Sequence, residues 1–460
     1  MIIPILGISL QQLFLLYFLE LISLIYLIKK YNKSMFYVLI ILFFYTAIFS
    51  FLGKEIQNTY RIIMLIMTLW ISFQQKVFSK FKKGDGLITF AFVLFSLFYF
   101  YSISLNKDSI LIALSQFSRY IIVYCLWFLV RKEIYTNYDN FDKFKQLIYD
   151  VFLIQIIITV GKLFIFGGSR IENIVGTIAH KGGSDGTTIP IIGFIMLWFY
   201  RKGKIKTKDW LYVSGLMLVG LLAGKRAVWF IIPLVITAFM IYVPKLKINK
   251  TLIVALVMSP LAFYLGARLT PNMNPENKIW GSFDIEYVFD FANNYQFGYE
   301  WRAKVDKRAQ GRGGATLLLW DKVFNPDVKF TSSDWYGIGI TQFYGTGYDD
   351  FEKLNTGINN KGASSGVFQT YITTGFASVL TTLFFYLVIL WQIKMKRIRW
   401  VLIGIIGWEY IMYIGNIFRT PAYMFMIIYF IHYSNFLLLR RYKVPRITDS
   451  KFLKNDLIVK

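Results

Sequence analysis

Residues 223–230, AGKRAVWF, set Lys225 and Arg226 between the apolar runs WLYVSGLMLVGLL and AVWFIIPLVITAFMIYV. Two cations with no carboxylate nearby in sequence are costly at the edge of a membrane segment. Their chemistry is that of an anion site, the alternative being snorkelling to lipid headgroups. Arg119 raises the same question. It sits near the middle of LIALSQFSRYIIVYCLWF, about ten residues from one end, with Gln116 one turn away. An arginine at such depth normally faces a partner or a wet cavity, and Glu20 and Glu409, also inside apolar windows, are the partners to expect. A third group lies in YEWRAKVDKRAQGR, near 300–312, with Arg302, Arg308 and Arg312. If that stretch is helical, Arg308 and Arg312 are i,i+4 neighbours on one face. The glycine-dense HKGGSDG, which opens with His180, looks like a phosphate loop but precedes an apolar helix. It reads as an ordinary turn or as the lining of a site.

The elements that hold these residues are apolar on all sides. The chain has 460 residues, is 56% hydrophobic and carries 44 Phe, 31 Tyr and 12 Trp. Thirteen apolar windows cover 3–28, 35–52, 62–75, 87–104, 109–130, 147–167, 186–200, 209–223, 227–243, 251–267, 366–393, 400–416 and 420–439. Windows of about 17–25 such residues cross ~30 Å of hydrocarbon. The expected fold is an all-α polytopic membrane protein of about thirteen transmembrane helices (twelve to fourteen). The N-terminus lacks a basic leader and a small-residue cleavage site, and reads as a first spanning helix.

The net charge of +25 is distributed as topology rather than as a nucleic-acid surface. Alternate connections hold Lys29, Lys30 and Lys33; Lys76, Lys80, Lys82 and Lys83; Arg131, Lys132, Lys143 and Lys145; and the basic stretches 201–208, 245–250, 394–399 and 440–460. Positive connections stay in the cytoplasm, which puts the N-terminus outside and the C-terminus inside. The chain then divides into transmembrane helices over 1–268, a large extracytoplasmic loop subdomain over 269–365, further helices over 366–439, and a basic cytoplasmic tail over 440–460. The loop is nearly neutral, and its Gly, Asn and aromatic content suggests helices and turns rather than a disordered linker. Lys225 and Arg226 fall on the outer side, where the positive-inside bias would not put them.

No P-loop, no strand-to-helix GxGxxG, no HExxH and no cysteine cluster occurs, and His180 and His432 are the only histidines. A histidine-based metal site is not expected. Cys125 is the single cysteine, so no disulfide forms within one chain. There is no internal repeat, and the two halves differ, which counts against transporters built from matching halves.

Between 311 and 385 the chain runs GRGGATLLLWDKVFNPD, WYGIGITQFYG and SSGVFQTYITTGFASVLTTLFF. A Gly-Arg, a Trp eight residues on, a G-x-G and a polar-aromatic lead into a Gly-containing helix resemble the O-antigen polymerase and ligase superfamily, in that order. GKRAVW is similar to the basic pair that this superfamily places before a membrane helix. Its layout, with one large outer loop before the last few helices, matches most of the chain. The resemblance implies action on glycans linked to undecaprenyl pyrophosphate at the outer face of the bacterial cytoplasmic membrane. Arg226 matches the basic residue of the membrane motif and Arg312 that of the loop motif, which makes them the expected catalytic residues. Lys225, Arg302, Arg308, Arg119 and His180 are added from position as possible contacts to pyrophosphate or glycan.

Ligases of this superfamily carry a His-Asn before the helix that follows the loop. Ser364–Tyr371, SSGVFQTY, stands there instead. This favours a Wzy-type polymerase, which passes the growing chain to the terminal sugar of another lipid-linked repeat unit. A ligase-like transferase, and a lipid-linked oligosaccharide flippase or other membrane transporter, are the alternatives. The resemblance implies no metal and no cofactor. Its partners are the lipid-linked glycan as donor and acceptor, the bilayer, and a chain-length regulator, with no nucleic acid. A general base would be an outer carboxylate, Asp334, Asp349 or Asp350, or else His180.

Overall fold

The computed structural model describes residues 2–3, 8–32, 34–50, 54–79, 82, 84–136, 141–166, 175–178, 185–201, 204–223, 235–238, 250–270, 273–278, 280–297, 311–325, 329, 331–346, 354, 356–358, 364–412 and 416–441. Apart from a two-residue antiparallel pairing of β1 (Ile2–Ile3) with β2 (Ile8–Ser9), these residues are helical or in turns. In the first half, α1 (Leu10–Tyr31) is followed by α2 (Met35–Phe43), α3 (Ala47–Ser50) and α4 (Lys54–Gln74). Then come α5 (Asp85–Leu105), α6 (Ile110–Thr136), α7 (Phe141–Phe166), α8 (Asp185–Tyr200) and α9 (Asp209–Leu222). The second half holds α10 (Lys250–Leu269), α11 (Ile285–Phe297), α12 (Arg312–Phe324), α13 (Ser332–Tyr336) and α14 (Ile340–Gly345). It closes with α15 (Gly366–Trp391), α16 (Lys396–Met412), α17 (Asn416–Arg419) and α18 (Pro421–Arg441).

Among the described residues, α1, α5, α6, α7 and α15 are long and apolar enough to cross a membrane. That architecture is consistent with a helical membrane protein. Where a helix is apolar all round it belongs in the middle, and α8 and α18 obey this: residues 185–199 and 422–435 are buried without a break. The outer ring is different. Helix α1 exposes Phe14, Phe18, Ile22 and Ile25 along one face.

The window 35–52 is not one span. The chain turns at 44–46, between α2 and α3, because the segment 175–178 inserts there. Ala47 N–H donates to the Thr177 carbonyl (3.0 Å), the Thr177 hydroxyl donates to the Phe44 carbonyl (2.6 Å), and the Thr46 hydroxyl bonds the Ile178 carbonyl. Gln155 of α7 brackets Thr177 from the other side (2.7 and 2.8 Å). Irregular backbone at membrane depth survives only when such partners satisfy it. Lys162 of α7 completes the arrangement: its ammonium donates to the carbonyls of Val175 and Gly176 and pairs with Glu20 of α1 at 3.0 Å, both side chains fully buried.

Helix α15 is also broken. Gly375 has φ +83°, and a Cβ there would lie 2.0 Å from the Trp335 carbonyl oxygen. Into this break packs the strap formed by α13, Gly337–Gly339 and α14. Gly337 (φ +76°) lies so close that its Cβ would meet the Thr374 nitrogen at 2.6 Å, and Ile338 N–H donates to the Ile372 carbonyl (2.8 Å). Only glycine meets both demands at either position.

Candidate functional site

A cavity lies between α5, α6, α14 and the first half of α15. Its lining includes Phe95 and Tyr99, Gln116, Arg119 and Tyr120, Ile340 and Tyr344, and Thr370, Thr373 and Thr374. Arg119 is the ninth residue beyond Ile110, about 14 Å along α6 at 1.5 Å per residue. Long side chains on a helix lean toward its N-terminus, which for α6 is the end that meets the strap. Arg119 has neither an ion pair nor a hydrogen bond among the described residues. The expected pairing with Glu20 or Glu409 does not form. Glu20 pairs with Lys162, and Glu409 accepts from Ile417 N–H (3.4 Å) at the end of α16.

A second arginine stands beside it. Arg61 of α4 lies within electrostatic range of Arg119 and of the Tyr344 hydroxyl. Its guanidinium donates to Asn58 Oδ1 (3.1 Å), which also receives the Ser115 hydroxyl of α6 (2.9 Å). Like charges within range of one another raise each other's energy, and a bound anion would lower it. The wall opposite carries hydroxyls. Those of Thr370, Thr373 and Thr374 donate back to helix carbonyls, and Thr370 also meets the Tyr410 hydroxyl (2.9 Å). The cavity volume is about 30 Å³, room for roughly two waters. A larger anion enters only if the strap or the side chains beneath it move.

The strap is held at both ends. Asp108, in the α5–α6 turn, accepts from Ile340 N–H (2.9 Å) and Thr341 N–H (2.8 Å), a carboxylate at the first turn of α14. Ser102 and Asn106 bond the Tyr336 carbonyl at 2.5 and 3.0 Å. At the other end Asp334 joins three helices: it pairs with Lys322 of α12 at 2.5 Å, accepts Thr331 N–H (2.8 Å) and hydroxyl (2.6 Å), and receives the Tyr371 hydroxyl of α15. Burial alone would raise the Asp334 pKa, but the bonds from Lys322, Thr331 and Tyr371 hold it at about 2. A carboxylate so stabilised is a poor proton acceptor near neutral pH. The expectation of Asp334 as a general base is therefore replaced by a structural role.

Arg312 begins α12. The Thr316 hydroxyl, one turn on, meets Ser365 Oγ (2.9 Å) and the Ile411 carbonyl (2.8 Å), so Arg312 stands at the head of α15. Thr370, the uppermost of the cavity threonines on α15, follows Ser365 by about a turn and a half. Gly311, just before α12, is extended (φ −114°, ψ 164°); the i,i+4 relation considered for Arg308 and Arg312 falls partly on residues outside those described. Arg226, Lys225, Arg302, Arg308, His180, Asp349 and Asp350 lie outside the described residues. His432 is buried, its ring tilted 46° against that of Trp127 at 4.3 Å between centroids, with Nε2 3.2 Å from the Trp127 carbonyl. Among the described residues no group of three His, Cys, Asp or Glu side chains is arranged to hold a metal.

Sequence reasoning missed Arg61, Asp108 and Lys162. Arg61 had a signal, since it sits at the edge of the window 62–75 on the side assigned as outer, as Arg226 does at 227–243. Asp108 had none, being an ordinary acid in a short turn. No protein-family model matches this chain, and no curated protein matches it.

Proposed function

We propose that this chain is an integral-membrane glycosyltransferase of the Wzy type. It polymerises undecaprenyl-pyrophosphate-linked repeat units at the outer face of the bacterial cytoplasmic membrane, on a thirteen-helix, N-outside topology. The observation that carries the reading is Arg119, which lines a polar cavity with no ion pair or hydrogen bond among the described residues and with Arg61 within electrostatic range. Such a pair suits the oxygens of a diphosphate, which planar guanidinium groups bind in bidentate fashion. The WYGIGIT motif behind the superfamily resemblance is the strap over that cavity, and the Gly-Arg motif sets Arg312 at its head.

In the reaction an acceptor hydroxyl oxygen attacks the anomeric carbon of the donor glycan. The bond from that carbon to the pyrophosphate oxygen breaks, the lipid pyrophosphate leaves with the electron pair, and the acceptor proton passes to solvent or to a base on the chain. Charge accumulates on the leaving group, so Arg119, Arg61, Arg312 and Arg226 stabilise the transition state more than the ground state. The small cavity volume implies that the strap lifts to admit the donor.

A second reading has its own observation. A turn between helices at 44–46, packed on the irregular segment 175–178 beside the buried Glu20–Lys162 pair, is the kind of part from which membrane transporters build ion sites. One experiment separates the two. Arg119→Gln in cells should reach wild-type membrane abundance, lose about 10²–10³ in turnover, and accumulate single lipid-linked repeat units. Arg119→Lys keeps the charge without the fork and should be milder. Wild-type polymer from Arg119→Gln at wild-type abundance would overturn the reading.

A further inference from the structure

The helices α11 and α12 carry large apolar side chains on faces that no described residue covers. On α12, Gly313, Gly314, Ala315 and Leu319 are buried, while Leu317, Trp320 and Phe324 are exposed, Trp320 at 63%. Their spacing of three and four puts them on one stripe, and the rings of Trp320 and Phe324 pack at 4.3 Å. On α11, Val288 is buried against Ala267 and Met273, while Ile285 and Phe289 are exposed. Three or more exposed large apolar groups in one stripe call for a partner.

The position of these helices identifies that partner. Helix α12 is tied at two points to the first turns of α15: Thr316 to Ser365, and Lys322 through Asp334 to Tyr371. Thr316 also bonds the carbonyl of Ile411 near the end of α16, and Ile411 is itself 42% exposed. Helix α12, about 20 Å long, therefore cannot stand away from the bundle. It lies level with the start of the candidate span α15 and with the end of α16. The segment leading into α11 is fixed in the same way, with Phe283 packed on Phe263 (6.0 Å) and Tyr264 (5.1 Å) near the end of α10. The exposed stripes thus continue the lipid-facing surface of the bundle.

We infer that α11 and α12 lie in the membrane interface and bury Ile285, Phe289, Leu317, Trp320 and Phe324 among the lipids of the leaflet on that side. Tryptophan and phenylalanine are the residues expected at that depth. The arrangement rests on the reading of the chain as a membrane protein. Its consequence is that Arg312, the first residue of α12, is held at headgroup level, where a lipid-linked phosphate lies.

Site-directed fluorescence in lipid nanodiscs tests this with the full chain. Single cysteines at 317, 320 and 324, and a control at the exposed Gln342 of the strap, are labelled with an environment-sensitive dye. Labels at 317, 320 and 324 should be quenched several-fold more by lipids spin-labelled high on the acyl chain than the label at 342, and should be shielded from aqueous iodide. Iodide quenching equal to that at 342 would overturn the inference. So would shielding from both quenchers that disappears at one protein per disc, because a second copy would then be the occupant. A fourth label at Leu387, exposed on α15, should respond to a deep-chain quencher. If it does not, the membrane reading itself has failed.

Discussion

Asp334 shows how a residue drawn into the site by type can be removed from it by geometry. A carboxylate with a lysine, a threonine and a tyrosine donating to it is spent on holding α12, α13 and α15 together. Its folded pKa, about 2 against an ordinary 3.8, is depressed, so the stability it contributes is present above pH 4 and lost as pH falls toward 2. The contribution is about 2 kcal/mol. In detergent-solubilised protein the difference in unfolding free energy between wild type and Asp334→Asn should be largest above pH 4 and shrink toward pH 2. A difference that stays constant over that range would mean that the pair contributes nothing through ionisation. Arg119 is the opposite case. Its place inside an apolar window was legible in the sequence, because a charge at that depth is costly wherever it points. Which carboxylate it would or would not meet was not legible, since Glu20 finds Lys162 on α7 through a contact 142 residues apart in sequence. Spacing along one helix carries no information about a neighbour of that kind.

At the scale of elements, the apolar windows anticipate most helices, and the start of α15 at Gly366 follows from the serine pair ahead of it: Ser365 Oγ accepts from Phe368 N–H at 3.3 Å. The breaks are what the windows hide. Residues 44–46 are Phe-Tyr-Thr, with no proline or glycine to mark the turn, and it exists because Thr177 arrives to bond it. Gly375 is visible as a glycine, but its left-handed backbone is imposed by the strap. The strap depends in turn on Asp108, which satisfies two amides at the start of α14. Asp108→Ala leaves both donors unpaired and should destabilise the docked strap by about 1–3 kcal/mol. Hydrogen exchange of the amides at 340 and 341 should become several-fold faster, with Asp108→Asn intermediate, while the amides of α8 in the core stay unchanged. Unaltered exchange at 340 and 341 would show that the strap is held by its packing on α15 alone.

For the whole molecule, the described contacts gather several connections at the ends of the helices. The turn at 102–109 bonds the strap at 336–341. At the other end Gly84 lies against Gln392, Lys394 N–H donates to Asn435, and Lys30 pairs with Asp150 at 2.6 Å, while Gln146 receives the Tyr200 hydroxyl. Arg119 lines the cavity beneath that strap, and the proposed activity is transfer from a lipid-linked donor bound there. The most direct measurement of that activity uses purified protein in nanodiscs with an undecaprenyl-pyrophosphate-linked repeat unit as the sole glycan and no nucleotide sugar. A ladder of polymer lengths is expected, with release of undecaprenyl pyrophosphate in step with each bond formed. Folded protein that leaves the repeat units unlinked, yet carries them across the bilayer of a proteoliposome, would contradict that expectation.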